Sequence, residues 1–333
     1  MISTPLKNLM QRGAAFLGCE VAILGGAMTW VSERNLVAAI SNAGGFGVIA
    51  SGSMPPAVLA EEIKATREKT TKNFGVNLIV MHPLLAEMTD VVIAAKVSFV
   101  VFAGGLPPAA LISKARDAGV KVIAFAPALS LAKKLIKQGV DALIIEGHEA
   151  GGHVGQVSTA VLAQEILPEI NDVPVFVAGG IGRGMAITTF LRMGAAGVQL
   201  GTAFVCTDEC IAHENFKQAF VRASSRDAVL SPQLDPRFPV IPVRGLGNEG
   251  TKKFIEIQRH VIEKYDNGEL DMKAAQLEIE HFWAGALRRA VLEGDVATGS
   301  VMAGQSVGLV HDIVPVKTLL DRLCREADAA LNV

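Results

Sequence analysis

The chain has 333 residues, half of them apolar and 19% charged, with a formal net charge of −2. Such a composition excludes disorder, and the lack of basic blocks leaves no electrostatic footprint for nucleic acid. The apolar surplus is aliphatic with few aromatics, which suits a sheet buried on both faces by helices.

Short β-branched runs at 21–24, 46–49, 75–79, 99–102, 121–125, 142–145, 175–177 and 197–200 read as strands. Their starts lie roughly 20 to 33 residues apart, the length of a βα unit. Helical patterns occupy 32–42, 55–70, 111–118, 129–138 and 186–193, and several close on glycine (Gly44, Gly119, Gly139, Gly194). The most hydrophobic stretch, 91–112, is interrupted by Lys96, Gly104-Gly105 and Pro107-Pro108, so it reads as helix end, buried strand and helix start, not a membrane span. Lys7 and Arg12 interrupt any signal-like apolar run, which makes the cytoplasm the expected location. Cys19, Cys206, Cys210 and Cys324 form no CxxC or metal-ligand pattern and are expected to be reduced and buried.

Eight strand–helix units in series predict an α/β fold of the TIM (β/α)8 type. The rival, a doubly wound sheet, needs a Gly-rich turn after its first strand. Here that strand runs into Gly25-Gly26-Ala27-Met28 without GxGxxG spacing, and Gly44-Gly45-Phe46-Gly47 precedes a strand. From about residue 226 the rhythm stops. Pro232, Pro236, Pro239 and Pro242 punctuate an irregular stretch, followed by helical patterns at 250–265 and 270–292. The predicted organisation is a barrel over 1–225, a helical insertion or lid over 226–300, and a segment over 301–333 that returns to the barrel and ends in an amphipathic helix at 316–331.

In such barrels chemistry sits where strands end, and phosphate is often gripped after strands seven and eight. Gly179-Gly180-Ile181-Gly182 follows the seventh predicted strand and Gly201-Thr202 the eighth. These glycines either cradle a phosphate with backbone N–H groups or simply make tight turns; finding them at both expected strands favours the cradle. After strand six, residues 146–155 read Glu-Gly-His-Glu-Ala-Gly-Gly-His-Val-Gly. His148 and His153 stand five apart, and Gly151-Gly152 would break the helix an HExxH zinc site requires, so no metal site is expected. A flexible loop presenting one imidazole, His153, at the barrel mouth is the better reading. Asn77, at the end of the third predicted strand, offers an amide that suits a flavin or nucleobase edge. Met28 and Trp30 either pack on a cofactor ring or fill the core beneath a loop. The single tyrosine, Tyr265, has no lysine four or seven residues on, and no GxSxG elbow occurs; short-chain reductase and α/β-hydrolase chemistry are excluded.

These motifs resemble the nitronate monooxygenase (2-nitropropane dioxygenase-like) superfamily of FMN barrels, and within it the FabK-type enoyl-[acyl-carrier-protein] reductase II. The resemblance is carried by Met28-Thr29-Trp30-Val31, Ala43-Gly44-Gly45-Phe46-Gly47, Phe74-Gly75-Val76-Asn77, Glu149-Ala150-Gly151-Gly152-His153, Ala178-Gly179-Gly180-Ile181 and Val198-Gln199-Leu200-Gly201-Thr202. Gly294-Asp295 with Gly299-Ser300-Val301-Met302-Ala303-Gly304-Gln305 looks like the reductase branch. Two positions depart from it. Gly25-Gly26-Ala27-Met28 stands where Gln-Gly-Gly-Met is typical, and His148 where a small or apolar residue is more usual.

The resemblance implies FMN as cofactor and NADH or NADPH as co-substrate. It also implies reduction of trans-2-enoyl thioesters on acyl carrier protein or CoA, as in fatty acid synthesis, by a homodimer. The alternative it implies is oxidation of alkyl nitronates with O2. It places His153 in the catalytic role, and Gly26, Ala27, Met28, Asn77, Glu146, Gly151, Gly152, Ala178, Gly179, Gly180, Gln199, Gly201, Thr202, Met302 and Gln305 around the cofactor. Acyl carrier protein is acidic, so Lys252-Lys253 and Arg288-Arg289 are candidates for a basic rim.

Overall fold

A computed structural model of the chain describes residues 2–238, 242–282 and 285–332. Strands β1 (Ile23–Gly25), β2 (Val48–Ala50), β3 (Gly75–Ile79), β4 (Phe99–Ala103), β5 (Lys121–Phe125) and β6 (Ala142–Glu146) are followed by the two-residue β7 (Gly152–His153). Then come β8 (Val175–Ala178), β9 (Gly197–Leu200), β10 (Ala228–Leu230) and β11 (Val243–Leu246). All but β7, β10 and β11 form one parallel sheet in the order β1-β9-β8-β6-β5-β4-β3-β2. The sheet closes through a parallel bridge between Leu24 and Phe46, with Gly25 N–H donating to Phe46 O at 2.9 Å and Phe46 N–H to Ile23 O at 3.0 Å. The chain is a TIM barrel, as its eight βα units predict.

The helices are α1 (Thr4–Leu17), α2 (Arg34–Asn42), α3 (Pro56–Lys69), α4 (Leu85–Ala94), α5 (Ala109–Asp117), α6 (Leu129–Lys137), α7 (Thr159–Ile166) and α8 (Gly184–Arg192). They are followed by α9 (Thr202–Val205), α10 (Glu214–Arg222), α11 (Glu249–Asp266), α12 (Met272–Phe282), α13 (Ala286–Arg288) and α14 (Val316–Ala329). Among the described residues no helix is long and apolar enough to cross a membrane.

Aromatic rings plug the amino-terminal end of the barrel. Phe99, at the start of β4, meets Phe46 edge-on at 5.0 Å and Phe16 of α1 at 5.6 Å; Phe16 also reaches Phe176 at 6.4 Å. Such T-shaped pairs bury large area and align ring edges with ring faces. With that end sealed, the carboxyl ends of the strands form the open mouth.

α14 closes the outer ring beside α8. Gly184 N–H donates to Glu326 Oε2 at 2.8 Å, and Thr188 Oγ1 to Ala327 O at 2.7 Å. The four cysteines are free thiols, three buried and Cys19 half-buried.

The region after α10 differs most from the sequence reading. The proline-punctuated stretch contains two strands that the sequence reading treated as irregular, and β10, β11 and β7 form an antiparallel sheet. Only three or four residues of β10 and β11 pair, too few to display an alternating pattern. Pro239 lies outside the described residues. The helix read at 250–265 is α11. The pattern at 270–292 resolves into α12 and, after left-handed Gly285 (φ 74°), α13 and a π-helical turn over Arg289–Glu293; Trp283 and Ala284 lie outside the described residues. α11 and α12 enclose a small core of their own: Phe238, Phe254, Val261, Ala275 and Ile279.

One buried cation ties this region to the barrel. Arg244 on β11 is 3% exposed; its Nε donates to His148 O at 3.2 Å and its Nη1 to Ala228 O at 2.7 Å. Burial lowers the guanidinium's pKa, while nearby Glu149 pulls it back up. Hydrogen bonds from a charged donor contribute more than neutral ones, so Arg244→Ala is expected to cost about 2–4 kcal/mol. Urea unfolding of the two proteins measures this, and equal midpoints would show that Arg244 holds nothing.

Candidate active site

The carboxyl ends of β8 and β9 carry the glycines expected there. Gly179 and Gly180 adopt left-handed φ values of 97° and 71°, a conformation only glycine reaches without strain. Gly201 precedes α9, which has no side-chain cap. The backbone N–H groups of Gly179, Gly180, Gly201 and Thr202 donate to no protein atom among the described residues. Gly179, Gly201 and Thr202 are half-buried and Gly180 is exposed, so water or a ligand completes these N–H groups. Four of them at two adjacent strand ends fit an anionic, phosphate-sized group.

Polar side chains ring the mouth beside this cradle. Asn77, 4% exposed, donates from Nδ2 to Val101 O at 3.1 Å, leaving Oδ1 without a partner among the described residues. β3 continues two residues beyond Asn77, so this amide sits inside the strand and not at its end. Gln199, on β9, makes no side-chain hydrogen bond to the described residues, and a Cβ on Gly26 would stand 3.3 Å from its Nε2. Between the ends of the neighbouring strands β1 and β9, a Cβ on Gly201 would lie 3.4 Å from Met28 Sδ. Trp30, in the same loop as Met28, takes an unusual positive φ of 68°, and Arg288 of α13 lies 5.9 Å from its ring centre. The mouth therefore offers amides, a thioether and a carboxyl next to a phosphate cradle, a donor set that FMN would satisfy.

The carboxyl is Glu146, the last residue of β6. Water still reaches part of it, yet burial in the mouth pushes its pKa up to about 8, and no protein donor among the described residues meets its oxygens. At neutral pH it is largely a carboxylic acid, able to donate as well as accept.

The loop that follows is pinned where the sequence reading expected flexibility. Gly152 and His153 pair with Arg244 and Val243 of β11. A Cβ on Gly151 would stand 2.5 Å from Gly304 N, so the loop and the returning segment pack backbone against backbone. Gln305 N–H donates to Glu149 O at 2.9 Å, and Gly304 N–H to Thr202 Oγ1 at 3.0 Å. A Cβ on Gly152 would lie 3.6 Å from Met302 Sδ. The structure thus gathers Gly151, Gly152, Thr202, Met302 and Gln305 in one place although they are 150 residues apart in sequence. The His153 imidazole is exposed and has no protein partner among the described residues, and its partial burial lowers its pKa.

Three contributors escaped the sequence reading. Arg244 braces the His153 loop, and a lone arginine beside glycine gives no cue of burial. Thr159, starting α7, donates from Oγ1 to Glu149 Oε2 at 2.9 Å and to Gly179 O at 3.1 Å, linking loop and cradle. Ser51 donates to the Asn77 carbonyl. The expected basic rim is largely neutralised: Lys252 pairs with Glu249, Arg288 with Glu293 and Arg289 with Asp295.

A sequence profile described as nitronate monooxygenase matches residues 11–92 and 85–326. The chain is 30% identical to (3aS,4S,5R,7aS)-5-hydroxy-7a-methyl-1-oxo-octahydro-1H-indene-4-carboxyl-CoA dehydrogenase of Rhodococcus jostii, covering 93% of this chain and 94% of the relative. FabK from Thermotoga maritima superposes with a TM-score of 0.86 at 36% identity, covering 100% of this chain and 98% of FabK. A nitroalkane oxidase from Streptomyces ansochromogenes superposes with a TM-score of 0.77 at 27% identity, covering 96% and 99%.

Burial of Glu146 also has a measurable thermodynamic consequence. Its carboxyl holds a proton in the folded chain up to about pH 8 but releases it near 4.5 when unfolded. The folded state therefore binds more protons between those values, and stability falls as pH rises through that window. Glu146→Gln removes the ionisation. The melting temperatures of parent and variant should differ little at pH 4.5, with the variant ahead at pH 9; an equal gap at both would contradict the buried acid.

Proposed function

The chain belongs to the nitronate monooxygenase family and is a flavin-dependent oxidoreductase; from that premise we propose that it reduces trans-2-enoyl thioesters with NAD(P)H, using FMN at the barrel mouth. The observation that carries the choice is the end-to-end likeness to FabK, which takes in the insertion and the returning segment as well as the barrel. A relative acting on a carboxyl-CoA supports a thioester substrate of the same kind, with acyl carrier protein or CoA as its carrier.

When bound, FMN supplies hydride transfer between a nicotinamide and an electron-poor carbon. The chain's own residues do the rest. The N–H groups of Gly179, Gly180, Gly201 and Thr202 would hold the phosphate. Asn77, Gln199 and the protonated Glu146 would meet the polar groups of the ring and the ribityl chain, with Gly26, Ala27 and Ala178 lending backbone close by. Met28 would pack against the ring. Met302 and Gln305, on the returning segment, would close the site over Gly151 and Gly152.

His153 faces the substrate. Hydride arriving at the β-carbon drives negative charge onto the thioester oxygen. A neutral imidazole N–H donating to that oxygen stabilises the charge as it develops, and the α-carbon takes its proton from solvent water. Its lowered pKa keeps the ring neutral at pH 7, in the form that donates without carrying a charge of its own.

A second reading is oxidation of alkyl nitronates with O2, favoured by the family's own description and by the Streptomyces nitroalkane oxidase. There the same imidazole takes a proton from the carbon beside the nitro group. The assay separates the two: crotonyl-CoA should accelerate NAD(P)H oxidation by the flavin-loaded protein. Turnover of nitroalkane or propionate 3-nitronate with NAD(P)H ignored would overturn the reductase reading.

His153→Ala is expected to lower kcat/KM by roughly 10²–10⁴ at unchanged flavin content. Because the neutral ring is the active form, kcat/KM in the parent should fall as pH drops below the ordinary histidine value of 6.5 and stay level just above it. The variant should lack that acid limb, and its persistence would assign the limb elsewhere.

A further inference from the structure

His148 stands outside the chemistry assigned above, yet the loop bearing His153 closes on it. Its Nδ1 lies 2.9 Å from Gly155 O, seven residues along the chain. A carbonyl only accepts, so Nδ1 carries the proton of this bond. Its backbone is held as well: His148 N–H donates to Val157 O at 2.8 Å, and His148 O receives Arg244 Nε at 3.2 Å. Gly155 is thereby drawn back over the end of β6, where a Cβ would stand 3.5 Å from Glu146 O. His153 sits inside the loop so closed, with its other flank on β11.

We propose that His148 is the positioning residue for His153: its imidazole closes the loop from 148 to 157 through the Gly155 carbonyl and sets where the substrate-facing ring stands. Two anchors then fix His153, β11 on one side and the His148–Gly155 bond on the other. Without that bond, the 153–157 arm of the loop would be held by the two-residue strand β7 and two backbone bonds, His148 N–H to Val157 O and Val154 N–H to Pro242 O, and so short a ladder frays readily. The inference rests on His153 facing the substrate, but the bond's effect on the loop can be measured without turnover.

The test compares His148→Met, which keeps bulk and loses the donor, with His148→Asn, whose side-chain amide restores a donor near the Nδ1 position. Hydrogen exchange on the flavin-loaded proteins is followed at the His148 and Val154 amides, which donate to Val157 O and Pro242 O. His148→Met should exchange faster across 148–157 by about tenfold or more, with the barrel strands unchanged. Its kcat on crotonyl-CoA should fall by about tenfold or more while flavin content holds, since small misplacements are costly. A loosened loop wets the His153 ring, so the acid limb should move up toward the ordinary histidine value. His148→Asn should recover most of all three.

Parent-like exchange in His148→Met would overturn the proposal. So would a uniform rise in exchange across the barrel, which reports lost stability and not a freed loop. Failure of His148→Asn to improve on His148→Met would overturn it too. If the parent ignores thioesters, the function assigned to His153 fails, while the exchange result still decides the role of His148.

Discussion

Closing a parallel sheet on itself satisfies strand edges all the way round, and here the closure is made by the backbone bonds joining β1 to Phe46. Polar groups without partners then gather at the strand ends. The amino-terminal end is filled by Phe16, Phe46, Phe99 and Phe176, so the carboxyl ends are left to carry them. Among the described residues, the free N–H groups after β8 and β9, the unmatched Asn77 Oδ1 and Gln199 amide, and the acid Glu146 all follow from that polarity. A cofactor with a phosphate at one end and hydrogen-bonding ring edges at the other answers this particular set.

The second layer is held on by backbone contacts that leave no room for side chains. Gly151 against Gly304, and Gln305 on Glu149, weld the returning segment to the loop after β6. β11 pairs with β7, and the buried Arg244 bridges the carbonyls of His148 and Ala228. Histidine placement is therefore a property of the insertion as much as of the barrel. Thr159 extends the same network to Gly179, so loop and phosphate cradle are connected through one hydroxyl.

The barrel was legible because eight strand–helix units repeat at near-constant spacing, and because glycines recur after the two strands where such folds bind phosphate. The motif around His153 marked the loop after β6. Its rigidity was hidden, since the strand that pins it lies about 90 residues downstream and spans four residues. Arg244 and Thr159 were hidden for a related reason: their importance comes from burial against distant carbonyls, which no local pattern records. Asn77 was noticed, but its place within β3 depends on barrel stagger, which strand runs alone do not give. The long helical pattern after residue 270 concealed a break because Gly285 reads as tolerable within a helix until its positive φ is seen.

The central claim is that the N–H groups after β8 and β9 form the seat of a flavin phosphate. Calorimetric titration of flavin-free protein with FMN and with riboflavin tests it directly, since the two ligands differ only in that group. Hydrogen bonds to a charged acceptor are individually strong, so FMN should bind one per chain and roughly hundredfold or more tighter than riboflavin. Equal affinity for the two would contradict the claim and place the ring, not the phosphate, in control of binding.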